Sequence, residues 1–165
     1  MTDAKQPSVL IREAKAGDVA RLASALGPEV SRWQIANQWQ EHLDGHRELL
    51  VAEIDGNLVG TVSVGGARRA RPGSLRCFAL DVGQAYRRLG IGTALLAAVE
   101  DRARSHGLST VHLEVAVDNT NAIRLYERLG YEREPELIVD RWHRITDDGD
   151  RLPVEEPSYE MVKQV

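Results

Sequence analysis

Leu80-Asp-Val-Gly-Gln-Ala-Tyr-Arg-Arg-Leu-Gly-Ile-Gly-Thr-Ala-Leu-Leu96 is the stretch on which the reading of this chain turns. It begins as the end of a strand and closes as the start of a helix. Between the two lies a turn holding Arg87, Arg88, Gly90 and Gly92. Glycine has no Cβ, so the backbone there can adopt positive φ and approach a bulky anion closely. The helix that follows aims its free N–H groups and positive dipole end into the turn. The arginines add fixed positive charge with fork-shaped donors. The stretch therefore reads as an anion site suited to a pyrophosphate, against the plainer alternative of an ordinary strand-to-helix turn with solvent-facing arginines. A P-loop would need a lysine after Gly92, where Thr93 and Ala94 stand instead. A dinucleotide fingerprint would need a third glycine or an alanine where Leu95 stands. What remains is Arg-x-x-Gly-x-Gly, on Arg87, Gly90 and Gly92.

Outward from this stretch, the chain reads as one domain over residues 1–165. Hydrophobic residues at 42% and charged ones at 28% suit an ordinary soluble globular chain. A net charge of −4 supplies no basic footprint for nucleic acid. No apolar run approaches the length of a membrane span, and Met1 to Ser8 lacks the apolar core of a signal peptide. The single cysteine, Cys77, excludes an internal disulfide and a cysteine-based zinc site, and its apolar setting points to packing rather than nucleophilic catalysis. A cytoplasmic protein without metal is the simplest expectation.

Before the central stretch, Val9 to Glu13 reads as a strand. A helix capped by Asp18 follows and ends at Gly27-Pro28, and a second runs from about Glu29 to Leu43. Trp33 or Trp39 on that second helix could face a substrate, although core packing is commoner for such residues. Glu48 to Ile54 and Leu58 to Val64 form a hairpin through Asp55-Gly56-Asn57. Gly65 to Ser74 reads as a loop whose Arg68, Arg69 and Arg71 are solvated, or else dock an acidic acceptor or a cofactor phosphate. Leu75 to Val82 is an apolar strand. The helix after the turn carries Ile91, Leu95, Val99 and Ala103 as a core stripe and stops at Gly107. The strand from Ser109 to Val117 sets Val111, Leu113 and Val115 on one face, with His112 and Glu114 on the other. A carboxylate in so apolar a strand is costly to bury alone, so Glu114 needs a partner, a solvated cleft or a chemical role; His112 reads as half exposed. The tail suggests strands at Leu137 to Ile145 and Tyr159 to Lys163, with Thr146 to Pro157 as an acidic loop between them.

A second pattern lies at Asp118 to Tyr131. Asn-x-x-Ala-x-x-Leu-Tyr-x-x-x-Gly-Tyr can begin at Asn119, with a better register beginning at Asn121 and running through Ala122, Leu125, Tyr126, Gly130 and Tyr131. With Arg87, Gly90 and Gly92 before it, the chain resembles the GNAT superfamily of acetyl-CoA-dependent N-acetyltransferases. The resemblance covers about Leu75 to Tyr131. It departs from the usual Arg-Gly-Lys-Gly-Ile-Gly in carrying Arg88 and Leu89 in the middle of the turn. It implies an α/β (α+β) fold, a twisted mixed sheet flanked by helices whose two central parallel strands splay apart. Acetyl-CoA would enter the resulting V. Its pantetheine would pair with Leu80, Asp81 and Val82. Its pyrophosphate would meet the N–H groups of Arg87, Arg88, Leu89, Gly90, Ile91, Gly92 and Thr93, with Asn121 close by.

The resemblance further implies direct acyl transfer to an amine acceptor. A base relieves the amine of its proton, a backbone N–H near Leu80 holds the oxyanion, and an acid protonates the departing thiolate. Tyr126 matches the acid, since a phenol stays protonated at neutral pH. Glu114 matches a base acting through a water in one branch of the family, with a structural hydrogen-bonding role as its rival; His112 is a weaker candidate. The alternative to an enzyme is a non-catalytic acyl-CoA sensor on the same fold, and a nucleotide-phosphate binder of another class fits less well. The acceptor is open among polyamine, aminoglycoside, amino acid, peptide N-terminus and protein lysine. A homodimer built through the C-terminal strands is compatible with the resemblance.

Overall fold

The computed structural model describes residues 8–165. The polar segment before Ser8, read above as lacking a leader core, lies outside them. Among the described residues no helix is long and apolar enough to cross a membrane. The described residues form seven strands and four α-helices, in the order β1 (Val9–Glu13), α1 (Asp18–Ala25), α2 (Arg32–Leu43), β2 (Glu48–Ile54), β3 (Asn57–Val64), β4 (Ser74–Val82), α3 (Ile91–Ser105), β5 (Thr110–Ala116), α4 (Thr120–Arg128), β6 (Glu132–Ile145) and β7 (Arg151–Gln164). The strands form one sheet in the order β1-β2-β3-β4-β5-β7-β6. Every neighbouring pair is antiparallel except β4 with β5. The expected mixed α/β fold with a central parallel pair is what the chain adopts.

Two apolar clusters cover the two faces of the sheet. On one face Ile91, Leu95, Leu96, Val99 and Ala103 of α3 pack on Val59, Val62, Cys77, Val111 and Leu113. The every-fourth-residue stripe of α3 is what makes that helix a core element. On the other face α1 and α2 bury Leu22, Leu26 and Ile35 against Leu49, Val51 and Leu58. The β2–β3 connection is the hairpin expected, with Asp55 at φ 51 and Gly56 at φ 79, the pair of left-handed residues that a tight two-residue turn requires.

Several boundaries differ from the sequence reading. Helix α1 is capped from Gly17, and Asp18 is instead buried at its first position. Helix α2 starts three residues later than expected, because Val30 is extended and Ser31 takes the N-cap, its Oγ accepting the Gln34 N–H at 3.0 Å. The largest difference is at the C-terminus. The expected acidic loop is only a short turn near Thr146 to Asp150, and the residues after it, with Pro153 and Pro157, belong to β7. Pairing of β7 with β5 ends at Ser158, so both prolines fall where β7 has a ladder partner on one side only, which lets a missing N–H go unnoticed.

The long β6–β7 hairpin reaches past the sheet and docks on α2. Ser31 Oγ donates to the Ile145 carbonyl at 2.6 Å, and the Ile145 N–H donates to Gln34 Oε1 at 2.8 Å. Trp33 Nε1 donates to the Asp147 carbonyl at 3.0 Å. Trp33 is thus an anchor for the hairpin tip rather than a substrate contact. Trp39 packs with the α1–α2 cluster and stacks on His42 with ring centroids 5.2 Å apart.

Asp18 ties the edge of the sheet to α1. Its carboxylate accepts from Arg12 at 2.7 and 2.9 Å and from the Lys15 N–H at 2.7 Å, and Arg12 also holds Glu53 at 2.6 Å. The Arg12 hydrogen bonds keep the Asp18 carboxyl below its ordinary value of 3.8, against the opposing effect of burial. The unfolded chain takes up the proton near that ordinary value and the folded chain only below it. The stabilisation is therefore complete above it and is lost as pH falls through the lowered native value. Asp18→Asn is expected to cost about 2 kcal/mol at pH 7 in denaturant unfolding, with the gap to the parent chain closing in strongly acidic buffer.

Candidate active site

The parallel pairing of β4 with β5 lasts for three residue pairs, Ser74 with Thr110, Leu75 with Val111 and Arg76 with His112. Just beyond, β4 bulges. Ser63 of β3 faces Phe78 but Thr61 faces Asp81, so β4 carries one residue more than its partner, and Ala79 takes φ 51 to absorb it. A bulge bends its strand and increases its twist. Here it carries β4 away from β5 while keeping it paired to β3. The two strands part, and a cleft of about 1100 Å³ opens between them.

Phe78, Leu80 and Asp81 of β4, Glu114 of β5 and Tyr126 of α4 line this cleft. Helix α2 and the β6–β7 hairpin supply its other walls, including Gln38, Glu41 and Trp142. Tyr126 and Ile123 form the buried side of α4. The Tyr126 hydroxyl has no hydrogen-bond partner among the described residues, and burial raises its pKa well above the ordinary 10. A tyrosine serving only as core would have its hydroxyl satisfied, and this one on the cleft wall does not. Asp81 also lines the cleft without a hydrogen-bond partner; burial, then Glu29, push its carboxyl up.

Glu114 has a different setting. Its side chain is 3% exposed, and both carboxylate oxygens accept from Arg76 Nε, at 3.1 and 3.2 Å, with Arg69 Nε 3.7 Å away. The strand carboxylate thus has the partner its burial demanded, a cation one strand away. His112 is buried rather than half exposed. Its Nδ1 lies 2.6 Å from Ser74 Oγ and its Nε2 2.9 Å from the Arg69 carbonyl. Burial lowers its pKa, which keeps the ring neutral. Cys77 is packed in the core, and burial pushes its thiol up to about 12, as a structural cysteine requires.

The Arg-x-x-Gly-x-Gly turn lies beyond the end of β4, with Arg87, Arg88, Leu89 and Gly90 exposed. Gly90 sits at φ 80 immediately before α3, which has no side-chain cap. The first N–H groups of α3 are therefore free of protein acceptors of the capping kind. Arg88, where the family pattern often has glycine, adopts φ 65. Gly92 does more than leave room for a ligand: a Cβ there would come 3.2 Å from Leu125 Cδ2, so its absence lets α3 and α4 close on each other. Two of the expected donors are otherwise engaged. The Arg87 N–H makes a long 3.5 Å bond to Gln84, and its guanidinium pairs with Glu29.

Asn119, not Asn121, caps α4, its Oδ1 accepting the Ala122 N–H at 3.3 Å, and Asn119 lines the cleft. Asn121 is exposed on the first turn of the helix and is not part of the cleft wall. The two asparagines thus have different places, Asn119 at the N-cap and Asn121 inside the first turn of α4. The three loop arginines turn to the C-terminal hairpin rather than to the Arg-x-x-Gly-x-Gly turn, with Arg68 and Arg71 still open to solvent on one side. Arg68 pairs with Asp140, Arg69 donates to the Val139 carbonyl at 3.0 Å, and Arg71 holds Glu160 at 2.6 Å and Glu134 at 3.2 Å. They tie the loop to the C-terminal hairpin.

Sequence reasoning missed Arg47, Arg76, Phe78 and Gln38, all on the cleft wall. A signal existed for Arg76, since a cation inside an apolar strand poses the same problem as Glu114. Among the described residues no group of His, Cys, Asp and Glu is arranged to hold a metal ion.

Comparison with known proteins adds the lineage. Residues 19–131 match the model of the Acetyltransferase (GNAT) family. The Xenopus tropicalis protein named "Probable N-acetyltransferase camello" is 39% identical over 97 residues, 58% of this chain and 44% of that one. The Mus musculus protein named "Probable N-acetyltransferase family 8 member 5" is 35% identical over 115 residues, 66% and 50% of the two chains. The matched part of this chain thus spans about half the length of these curated relatives. In structure the chain resembles yncA of Salmonella typhimurium, solved with its cofactor acetyl-CoA, at a TM-score of 0.65 over 94% of this chain and 93% of that one. At 21% identity that likeness speaks for the fold. The family match reaches from α1 to the tyrosine that follows α4, across both motifs and the parted strands between them, and the chain belongs to the GNAT family of acetyltransferases.

Proposed function

We propose that this chain is an N-acetyltransferase that moves the acetyl group of acetyl-CoA directly to the amine of an acceptor. The observation that carries this reading is the parting of β4 from β5 after Arg76 and His112. It leaves a strand edge at Leu80, Asp81 and Val82 free to pair with an extended amide-bearing chain, as an added strand does. The uncapped start of α3, with Gly90 at φ 80, fits the pyrophosphate at the end of the same strand. When bound, acetyl-CoA supplies the activated thioester. Main-chain N–H groups from Arg88 through Thr93 hold its phosphates, and the backbone near Leu80 donates to the acetyl oxygen.

Tyr126 is the acid in this reading. Its hydroxyl lines the cleft, carries no competing hydrogen bond among the described residues, and keeps its proton because burial disfavours the phenolate. The acid form is present throughout the neutral and mildly alkaline range. Glu114 remains the base candidate by position, but its two oxygens face Arg76, which favours a second role: holding the Arg76 guanidinium in place.

Acetyl-CoA is expected to raise the melting temperature of the protein, and absence of both a thermal shift and binding heat would overturn the proposal. Tyr126→Phe is expected to lower kcat about 100-fold while leaving the acetyl-CoA Kd within about twofold, measured by steady-state kinetics and calorimetry. Because the phenol pKa is raised, the parent kcat profile should show no alkaline limb from this group below pH 10. Glu114→Gln separates the two roles of that residue. Positioning predicts an acceptor KM raised about tenfold with the acid limb of kcat intact; a base predicts loss of that limb.

A further inference from the structure

The α2-facing side of the cleft holds an unusual amount of unpartnered polarity. Arg76 is only 5% exposed, yet Glu114 engages only its Nε. Among the described residues Nη1 and Nη2 have no hydrogen-bond acceptor, and Arg76 lines the cleft. Its guanidinium carbon lies 4.3 Å from the centre of the Phe78 ring, which fixes the plane of the fork. Arg47 sits over the same ring at 4.7 Å, but its donors are used: Nε reaches Glu41 at 2.7 Å and Nη1 reaches Ser63 Oγ at 3.0 Å. Gln38 of α2 is 4% exposed, lines the same cleft, and its carboxamide has no partner among the described residues.

Donors without acceptors in so enclosed a setting are costly, more so when charged. Arg76 on β4 and Gln38 on α2 both keep such groups open to the cleft, and one of them is a planar cation held by stacking, which suits them to a ligand. Resting on the acetyltransfer reading above, we propose that the acceptor is an amino carboxylate, a small amine that also bears a carboxylate, and that Arg76 with Gln38 binds that carboxylate. A polyamine fits this wall badly. Its second ammonium would meet the guanidiniums of Arg47 and Arg76, both seated over the Phe78 ring. The forked Nη pair suits the two oxygens of a carboxylate, and the carboxamide N–H₂ of Gln38 can add a third donor.

The test uses matched acceptors: the proteinogenic amino acids, their carboxamides and their decarboxylated amines, assayed by CoA release with the full chain. At least one amino carboxylate is expected to exceed its carboxamide and its amine in kcat/KM by about tenfold or more. Arg76→Lys keeps a cation beside Glu114, so the fold survives, but loses the fork; Gln38→Leu leaves no buried charge behind. Each is expected to bring the carboxylate-to-carboxamide ratio towards unity by raising acceptor KM, with the acetyl-CoA Kd unchanged. Equal use of carboxylate and carboxamide, a preference for the plain amines or polyamines, or a ratio unaltered in both variants overturns the inference. So does a panel in which no amino carboxylate is acetylated; if acetyl-CoA still binds, the acetyltransfer reading stands, and if it does not, that reading fails as well.

Discussion

The structure depends on where two parallel strands stop pairing. Parallel neighbours satisfy each other's main chains through evenly spaced slanted bonds. Once β4 and β5 separate after Arg76 and His112, the inner edges of both strands lose their partner. The bulge at Ala79 makes the separation possible without breaking β4 from β3, since the extra residue bends one strand and leaves the other straight. Everything functional is arranged around the resulting gap. Helix α3 begins at the end of one strand, α4 follows the end of the other, and the β6–β7 hairpin bridges back to α2 across the top.

The gap also explains the placement of charge. A sheet buried on both faces should not tolerate Arg76 and Glu114 in its central strands. They are tolerated because they lie on adjacent strands beside the opening and neutralise each other there. Phe78 supplies an aromatic face to two guanidiniums, which restricts their orientation without satisfying all their donors. The loop before β4 contributes Arg68, Arg69 and Arg71 to acids and carbonyls of the C-terminal hairpin, so the walls of the cleft are held by ion pairs on one side and by the Ser31 and Gln34 side chains on the Ile145 main chain on the other.

Local patterns were readable where short-range physics decides. The α3 stripe, the Asp55-Gly56 turn and the glycine after α3 each follow from periodicity or from a required positive φ, and each is found where the sequence puts it. Other features are less legible. The pattern at Asp118 to Tyr131 fits two registers, and only the capping geometry at Ala122 shows which asparagine holds the helix start. The prolines and charges of the acidic tail resemble a connection. Pairing with β6 on one side alone makes that segment a strand.

What the sequence by itself determined is the fold family and the strand-turn-helix through Gly90 and Gly92. Both rest on contiguous residues, in which a strand end, a positive-φ glycine and a helix start must follow one another along the chain. What only the tertiary structure decided is the polar lining of the cleft. Arg47, Gln38, Arg76 and Glu114 come from α2, its following loop and two separate strands, and no local pattern links them. Whether a buried charge is paired, and which of its donors stay free, depends on strand order and register. Those are set by long-range packing, and they turned Glu114 from an isolated carboxylate into the partner of an arginine.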